Sequence, residues 1–226
     1  MSAVRLETFE LEPPRPADAA VVWMHGLGAD AHDFESLVPE LGLEASAAVR
    51  FVFPNAPVRP VTINGGQRMR AWFDVAGFDR RAPQDERGIR ESHEAISALV
   101  ARERERGIPA SRILVAGFSQ GGAMALFTGL RFAERLGGVV ALSTFLPLAD
   151  TAAAEAHPAN AALRVFMAHG RFDPIVPQPL GESSREALRA LGCAVDWHSY
   201  PMPHSVCADE VSDLRSWLAG VLEAAP

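Results

Sequence analysis

Short apolar runs alternate with amphipathic stretches along most of the chain. The apolar runs are rich in β-branched and aromatic residues and end at glycine, proline or a polar residue, as buried strands do. An alternating polar and apolar run at 3–11 predicts a further, half-exposed strand. The predicted buried strands are 19–26, 49–57, 111–119, 136–143, 163–170 and 194–201.

The stretches between these strands have apolar residues at helical spacing. The predicted helices are 32–42, 83–106, 120–135, 182–191 and 207–223. Strands that alternate with helices, and that are apolar along their whole length, predict an α/β fold with a mostly parallel central sheet covered by helices on both faces. No repeat or linker interrupts the pattern, so residues 1–226 are expected to form a single domain.

Residues 54–83 differ from the rest because they are rich in Pro, Gly and Arg and have no clear period. We interpret them as a long irregular excursion, and long ordered loops in compact domains are often functional. The other insertions are short, so no separate cap domain is expected.

The sequence "GFSQG" at 117–121 lies between a predicted strand and a predicted helix. A nucleophile at such a turn takes a strained backbone conformation, so its neighbours two residues away on either side must be small. In a parallel sheet, reactive groups collect beyond the carboxyl ends of the strands. Ser119 is therefore a candidate nucleophile, and a plain glycine turn is the alternative.

A nucleophilic serine needs a base and an orienting carboxylate. His204 lies in "PMPHSV", between the last predicted strand and the final helix, where a Ser–Asp–His chain order places the histidine. Asp173 follows the strand 163–170 directly, and Asp150 and Asp196 are the alternative acids.

Two further histidines, His25 and His169, precede glycines at strand ends, and we interpret both as structural.

The oxyanion of a tetrahedral intermediate needs hydrogen-bond donors, usually backbone N–H groups. Gln120 follows the candidate nucleophile, and we expect it to contribute its backbone more than its side chain. Leu27, in "HGLGAD" at 25–30, is the candidate for the second donor, although this segment could be a simple strand-to-helix connection.

Together these motifs resemble the phospholipase/carboxylesterase family of α/β hydrolases, which includes bacterial carboxylesterases and acyl-protein thioesterases. The resemblance implies the α/β-hydrolase fold, a Ser119–Asp173–His204 triad, oxyanion donors at Leu27 and Gln120, and a homodimer. The matching segments are "HGLGAD", "RAWFD" at 70–74, "GFSQGG" at 117–122, "LSTFLP" at 142–147, "HGRFDPIVP" at 169–177 and "PMPHSVC" at 201–207. The corresponding family loop, H-G-L-G-D, is one residue shorter, which leaves the role of Asp30 open.

Two apolar pairs lie in segments close to the predicted site. Trp72 and Phe73, in the long excursion, either form an apolar wall for an acyl chain or anchor the loop to the body of the protein. Phe145 and Leu146, just beyond a strand end, present the same two alternatives. Without a cap the site should be shallow and open, suited to short or medium acyl chains and to acyl groups on larger molecules.

Composition and charge narrow the list of partners. The formal net charge is −7, and the 21 basic residues, all arginine, are spread along the chain, so nucleic acid is not an expected partner. The motifs of zinc sites and phosphate-binding loops are missing, so no metal or cofactor is expected. No signal peptide or span of about 18 apolar residues is present, which favours a cytoplasmic protein without a membrane span.

The two cysteines, Cys193 and Cys207, have no paired spacing and are expected to be reduced thiols. Cys207, three residues after His204, is either a reactive thiol near the site or a buried small residue at a helix start.

The sequence thus predicts a serine hydrolase that cleaves carboxylic esters of short to medium acyl chains through an acyl-enzyme. An acyl-protein thioesterase or lysophospholipase is the alternative within enzymes, because the triad serves several leaving groups. A binding module that kept the fold and lost the chemistry is the alternative outside enzymes.

Overall fold

The computed structural model describes residues 5–77 and 83–223. A central seven-stranded sheet and a separate two-stranded hairpin make up its β-structure. In chain order the strands are β1 (Thr8–Leu11), β2 (Ala19–Met24), β3 (Val49–Pro54), β4 (Val58–Val61), β5 (Gln67–Arg70), β6 (Ile113–Phe118), β7 (Gly138–Leu142), β8 (Arg164–Gly170) and β9 (Ala194–Tyr200).

The central sheet has the order β1-β3-β2-β6-β7-β8-β9. β1 pairs with β3 in antiparallel fashion, and the other neighbouring strands of the sheet are parallel. The mostly parallel sheet predicted from the sequence is therefore confirmed. Met24 pairs with Gly117, and Phe118 with Leu142, so the carboxyl ends of β2, β6 and β7 lie side by side.

Helices cover both faces of this sheet, as predicted. They are α1 (Val38–Leu41), α2 (Glu86–Glu105), α3 (Gln120–Arg131), α4 (Ala149–Glu155), α5 (Gln178–Ala190) and α6 (Ala208–Glu223). Successive strand residues point to opposite faces, so Val22 belongs to the core that contains Ile96 of α2, whereas Trp23 belongs to the core that contains Leu218 of α6. These two apolar layers hold the strand ends rigidly in place.

Several predicted elements differ from the observed ones. The excursion at 54–83 is not wholly irregular, because β4 and β5 form a hairpin within it, and its residues 78–82 lie outside the described part of the chain. The predicted helix 32–42 is reduced to a 3-10 turn and the short α1, with Pro39 near the start of that helix. The helix α4 was not predicted, and α5 begins at Gln178 rather than at 182.

Within residues 5–77 and 83–223, no helix is both long enough and apolar enough to span a lipid bilayer.

Candidate active site

Ser119 lies in the sharp turn between β6 and α3, with φ 54° and ψ −120°. L-residues rarely adopt this conformation, and it costs on the order of 1–3 kcal/mol unless the surroundings enforce it. Here the Ser119 N–H donates to the carbonyl of Leu142 at 2.8 Å. The Ser119 carbonyl accepts from the Ala123 N–H at 3.0 Å and from Thr144 Oγ1 at 2.6 Å. The strained turn is thus fixed from both sides.

The glycines around Ser119 are required by the space available. A Cβ at Gly117 would collide with the backbone of Gly121 and Gly122, and a Cβ at Gly121 would collide with the carbonyls of Met24 and His25. The steric explanation for the G-x-S-x-G spacing is therefore confirmed. α3 passes so close to the ends of β2 and β6 that only glycine fits at these positions.

Asp173 and His204 form a short hydrogen bond, with 2.6 Å between Asp173 Oδ2 and His204 Nδ1. The other carboxylate oxygen, Oδ1, accepts from the backbone N–H groups of Ile175 at 2.8 Å and Val176 at 2.9 Å. Because the carboxylate accepts at Nδ1, that nitrogen carries the proton and Nε2 is left as the basic nitrogen. The Asp173 side chain is fully buried, whereas the His204 side chain is 16% exposed.

His204 lies beside the turn that carries Ser119. Its ring packs against Phe118, the residue before Ser119, with 4.6 Å between ring centroids. The 25–28 loop also lies against this turn, because a Cβ built at Gly26 would lie 3.7 Å from Ser119 Cβ. The structure therefore gathers Ser119, His204 with Asp173, and the 25–28 loop at one edge of the sheet.

The alternative acids lie elsewhere. Asp150 is exposed in the first turn of α4, and the Asp196 carboxylate lies 3.2 Å from Nε2 of His198.

His25 and His169 have structural partners, in agreement with their interpretation from sequence. His25 Nε2 accepts from the Ala56 N–H at 3.1 Å, while its Nδ1 lies 2.6 Å from the Gly26 carbonyl, and burial lowers the pKa of the ring. His169 Nε2 donates to the Val176 carbonyl at 2.8 Å, and burial lowers its pKa as well. Burial therefore favours the neutral form of both rings.

Two backbone N–H groups are available near Ser119 to bind an anion. Within the described residues, neither the Leu27 nor the Gln120 N–H has a hydrogen-bond partner. The Gln120 N–H belongs to the first turn of α3, whose N–H groups have no partner inside the helix and carry the positive end of its dipole. The 25–28 loop, which carries Leu27, is held in place at Gly28, because the Gly28 N–H donates to the Arg70 carbonyl at 2.9 Å.

The Gln120 side chain has structural partners that the sequence did not predict. The buried Gln120 Oε1 accepts from the Trp72 N–H at 2.8 Å, and Gln120 Nε2 donates to the Phe73 carbonyl at 2.7 Å. No local sequence pattern predicts these two hydrogen bonds, because they join residues that lie 48 and 47 positions apart in the chain.

The apolar candidates differ in burial. Trp72 is fully buried, and its indole N–H donates to the His25 carbonyl at 3.0 Å, which favours the anchoring alternative. Phe73 and Leu146 are also buried, and the Leu146 N–H donates to Ser184 Oγ at 2.8 Å. Phe145 is only partly buried.

Two exposed apolar side chains that the sequence analysis missed flank the acid. Phe172 is 69% exposed and Ile175 is 47% exposed, on either side of Asp173. The sequence signal for them was a pair of large apolar residues in the loop that directly follows a predicted strand.

Asp30 and Cys207, whose roles the sequence left open, both lie at the start or close of a local backbone structure. Asp30 Oδ1 accepts from the His32 N–H at 2.9 Å, so Asp30 closes the turn that follows the 25–28 loop. The Cys207 carbonyl accepts from the Val211 N–H at 3.0 Å, which places the half-buried Cys207 at the start of α6.

Glu210, in the first turn of α6, is an unusual buried carboxyl. It is fully buried, and neither carboxyl oxygen has a hydrogen-bond partner within the described residues. Burial raises its pKa to about 8, although the nearby Cys207 N–H lowers it in part.

Comparison with known proteins identifies the family. The profile of the phospholipase/carboxylesterase family matches residues 8–222. The chain is 39% identical over 221 residues to acyl-protein thioesterase 1 of Mycosarcoma maydis, covering 91% of this chain and 92% of that protein. It is also 39% identical over 210 residues to acyl-protein thioesterase 1 of Neurospora crassa, covering 88% and 85% of the two chains.

A solved structure has the same fold. The crystal structure of acyl-protein thioesterase 2 from Zea mays matches with a TM-score of 0.85 at 32% identity, covering 96% of this chain and 99% of that one. The resemblance inferred from the motifs and the predicted fold class are both confirmed. The chain therefore belongs to the phospholipase/carboxylesterase family of α/β hydrolases and is an ester or thioester hydrolase.

Proposed function

We propose that the protein is a carboxylesterase that cleaves esters of short to medium acyl chains through an acyl-enzyme on Ser119. His204 is the general base and Asp173 orients it. The observation that carries this proposal is the 2.6 Å contact between Asp173 Oδ2 and His204 Nδ1, beside a serine in a strained turn.

The proposed reaction begins when Ser119 Oγ attacks the ester carbonyl and His204 Nε2 takes the hydroxyl proton. The carbonyl oxygen becomes an oxyanion, which accepts from the backbone N–H groups of Leu27 and Gln120. The intermediate collapses, the C–O bond to the alcohol breaks, and His204 gives its proton to the departing alkoxide. A water molecule, deprotonated by His204, then attacks the acyl-enzyme and releases the carboxylic acid and Ser119.

Asp173 contributes in two ways to this scheme. Its buried carboxylate keeps the proton of His204 on Nδ1, so that Nε2 faces the nucleophile as a base. It also stabilises the positive imidazolium that forms when Nε2 is protonated. The two backbone N–H donors to Asp173 Oδ1 hold the carboxylate still during both steps.

Exposed and half-buried apolar side chains support an acyl-binding role for the edge of the site. We place the acyl chain against Phe172, Ile175 and the partly exposed face of Phe145. Trp72, Phe73 and Leu146 are buried, so we do not assign them to the acyl-binding surface. An open apolar edge suits short and medium chains because a long chain would remain largely in water.

Acyl-protein thioesterase or lysophospholipase activity is the second candidate. The relatives named acyl-protein thioesterase 1, at 39% identity, favour it. An open site would also admit an acyl group attached to a larger molecule.

The test is a panel of acetyl, butyryl, octanoyl and palmitoyl substrates, each prepared as a p-nitrophenyl ester and as a matched thioester. We expect kcat/KM to peak at butyryl or octanoyl esters and Ser119→Ala to abolish every reaction. A clear preference for palmitoyl thioesters would favour the second candidate. Full residual turnover by Ser119→Ala would contradict both.

Three further expectations stay proposals. Residues 1–226 form a single domain, the protein is cytoplasmic, and it forms a homodimer. Light scattering coupled to size exclusion measures the last of these directly.

A further inference from the structure

Three chain segments meet around the N–H groups of Leu27 and Gln120. One is the turn at Ser119, the second is the 25–28 loop, and the third is 70–73, which follows strand β5. The third segment is hydrogen-bonded to both of the others, so the distance between the two donors depends on those hydrogen bonds.

The Gln120 side chain ties the turn to the third segment. Its Oε1 accepts from the Trp72 N–H at 2.8 Å and its Nε2 donates to the Phe73 carbonyl at 2.7 Å. An amide carries one acceptor and one donor group at its tip, so it satisfies a backbone N–H and a backbone C=O at once. A carboxylate or an apolar side chain of the same size satisfies only one of them or neither.

Two other hydrogen bonds tie the third segment to the 25–28 loop. The Trp72 indole N–H donates to the His25 carbonyl at 3.0 Å. The Gly28 N–H donates to the Arg70 carbonyl at 2.9 Å. His25 and Gly28 bracket Leu27, so the chain segment that carries the Leu27 N–H is fixed near both of its ends.

We propose that the side-chain amide of Gln120 is a positioning group that sets the spacing between the Leu27 and Gln120 N–H donors. The inference rests on the proposed function, since it assumes that these two groups bind an oxyanion. The path runs from Gln120 through the backbone of Trp72 and Phe73 to the 25–28 loop. The Gln120 side chain is buried and hydrogen-bonded to the backbone at both ends, so it acts on the reaction only through the donors.

A change in the spacing of the two N–H donors should affect the transition state rather than the bound substrate. Oxyanion donors act on charge that develops only during reaction, so a change in their spacing lowers kcat while leaving ground-state binding nearly unaltered. A misplacement of about 1 Å is enough to cost about 10²-fold in rate. General loosening of the 70–73 segment would not give this pattern.

The test compares two variants of Gln120 with a matched control. Gln120→Met has a similar volume and makes neither hydrogen bond. Gln120→Glu keeps the acceptor for the Trp72 N–H but turns a carboxylate oxygen toward the Phe73 carbonyl. The control is Ser92→Ala, which removes the hydrogen bond from Ser92 Oγ to the Trp72 carbonyl and so loosens the same segment without touching the Ser119 turn.

Two measurements report on the donors. The first is kcat and KM for p-nitrophenyl butyrate, with the number of competent sites counted by fluorophosphonate labelling. The second is the affinity of an aliphatic trifluoromethyl ketone. The Ser119 oxygen adds to its carbonyl carbon, the serine proton passes to His204, and the hemiketal oxyanion occupies the site of the two donors.

We expect Gln120→Met to lose about 10²-fold in kcat per labelled site, with KM changed by less than about threefold. The ketone should bind more weakly by a similar factor. Gln120→Glu should lose at least about tenfold in kcat, since one of its two bonds is retained. Ser92→Ala should keep kcat and ketone affinity within about twofold of the wild type, even if it melts at a lower temperature.

Equal losses in Gln120→Met and Ser92→Ala would overturn the proposal, because they would show a general effect of loosening. So would an unchanged kcat and ketone affinity in Gln120→Met. If Gln120→Met does not fold, Gln120→Glu decides by the same criteria. A wild-type protein that hydrolyses no ester or thioester would instead refute the proposed function, which separates the two failures.

Discussion

Glu210→Gln should stabilise the protein at alkaline pH and have little effect at acidic pH. The wild-type carboxyl is fully buried without a hydrogen-bond partner among the described residues, and burial raises its pKa to about 8 from an ordinary value of 4.5. Between these two values the unfolded chain releases the proton while the folded protein keeps it. Folding therefore binds a proton, and wild-type stability falls as the pH rises through this window.

The size of the effect follows from the two pKa values. Each unit of pKa difference corresponds to about 1.4 kcal/mol at a pH above both values. The part of this window between about pH 5 and about pH 8 then gives a loss of about 3 kcal/mol. The glutamine amide does not titrate, so Glu210→Gln lacks this loss. Any unpaired amide proton that the variant introduces costs the same at both pH values and cancels from the comparison.

Urea unfolding followed by tryptophan fluorescence measures this difference. The free energy of unfolding is determined for both proteins at about pH 5 and about pH 8, and the quantity of interest is the change in their difference. We expect Glu210→Gln to gain about 3 kcal/mol relative to the wild type over this interval. A difference that stays constant with pH would refute the argument that Glu210 is buried in its neutral form.

Three further predictions concern the site. Asp173→Asn should lower kcat by about 10⁴-fold, because the amide favours the wrong tautomer of His204, whereas Asp150→Asn should have almost no effect; steady-state kinetics decides. Ser119→Gly should be about 1 kcal/mol more stable than Ser119→Ala, since only glycine relieves the positive φ; calorimetry showing equal stability would contradict the strain. Gly121→Ala should lower the melting temperature strongly and abolish turnover, because its Cβ collides with backbone carbonyls; a normal melting temperature would contradict the packing.

The sequence predicted the sheet well because its strands are buried on both faces. Near-continuous apolar runs such as 19–26 and 111–119 are favourable only where both faces of a strand are buried. The runs, together with the turn residues at their ends, therefore located these strands closely. Ser119 was also accessible from sequence, because glycines at fixed offsets between a strand and a helix reflect a steric requirement that holds locally.

Other elements escaped prediction for physical reasons. β4 and β5 are short, largely exposed strands with no apolar alternation, and only the "NGG" turn between them signalled a hairpin. α4 has only seven residues and four alanines, too little apolar surface to show a helical stripe. The hydrogen bonds of the Gln120 side chain depend on contacts between distant segments, which no local pattern encodes.

The central claim, that Ser119 carries the acyl group, is tested most directly by mapping the covalent adduct. The enzyme is treated with a fluorophosphonate, digested, and analysed by mass spectrometry, with Ser119→Ala as the control. We predict one adduct, on the peptide that contains Ser119, and none in the variant. An adduct on another residue such as Cys207, in an enzyme that hydrolyses esters at full rate, would contradict the claim.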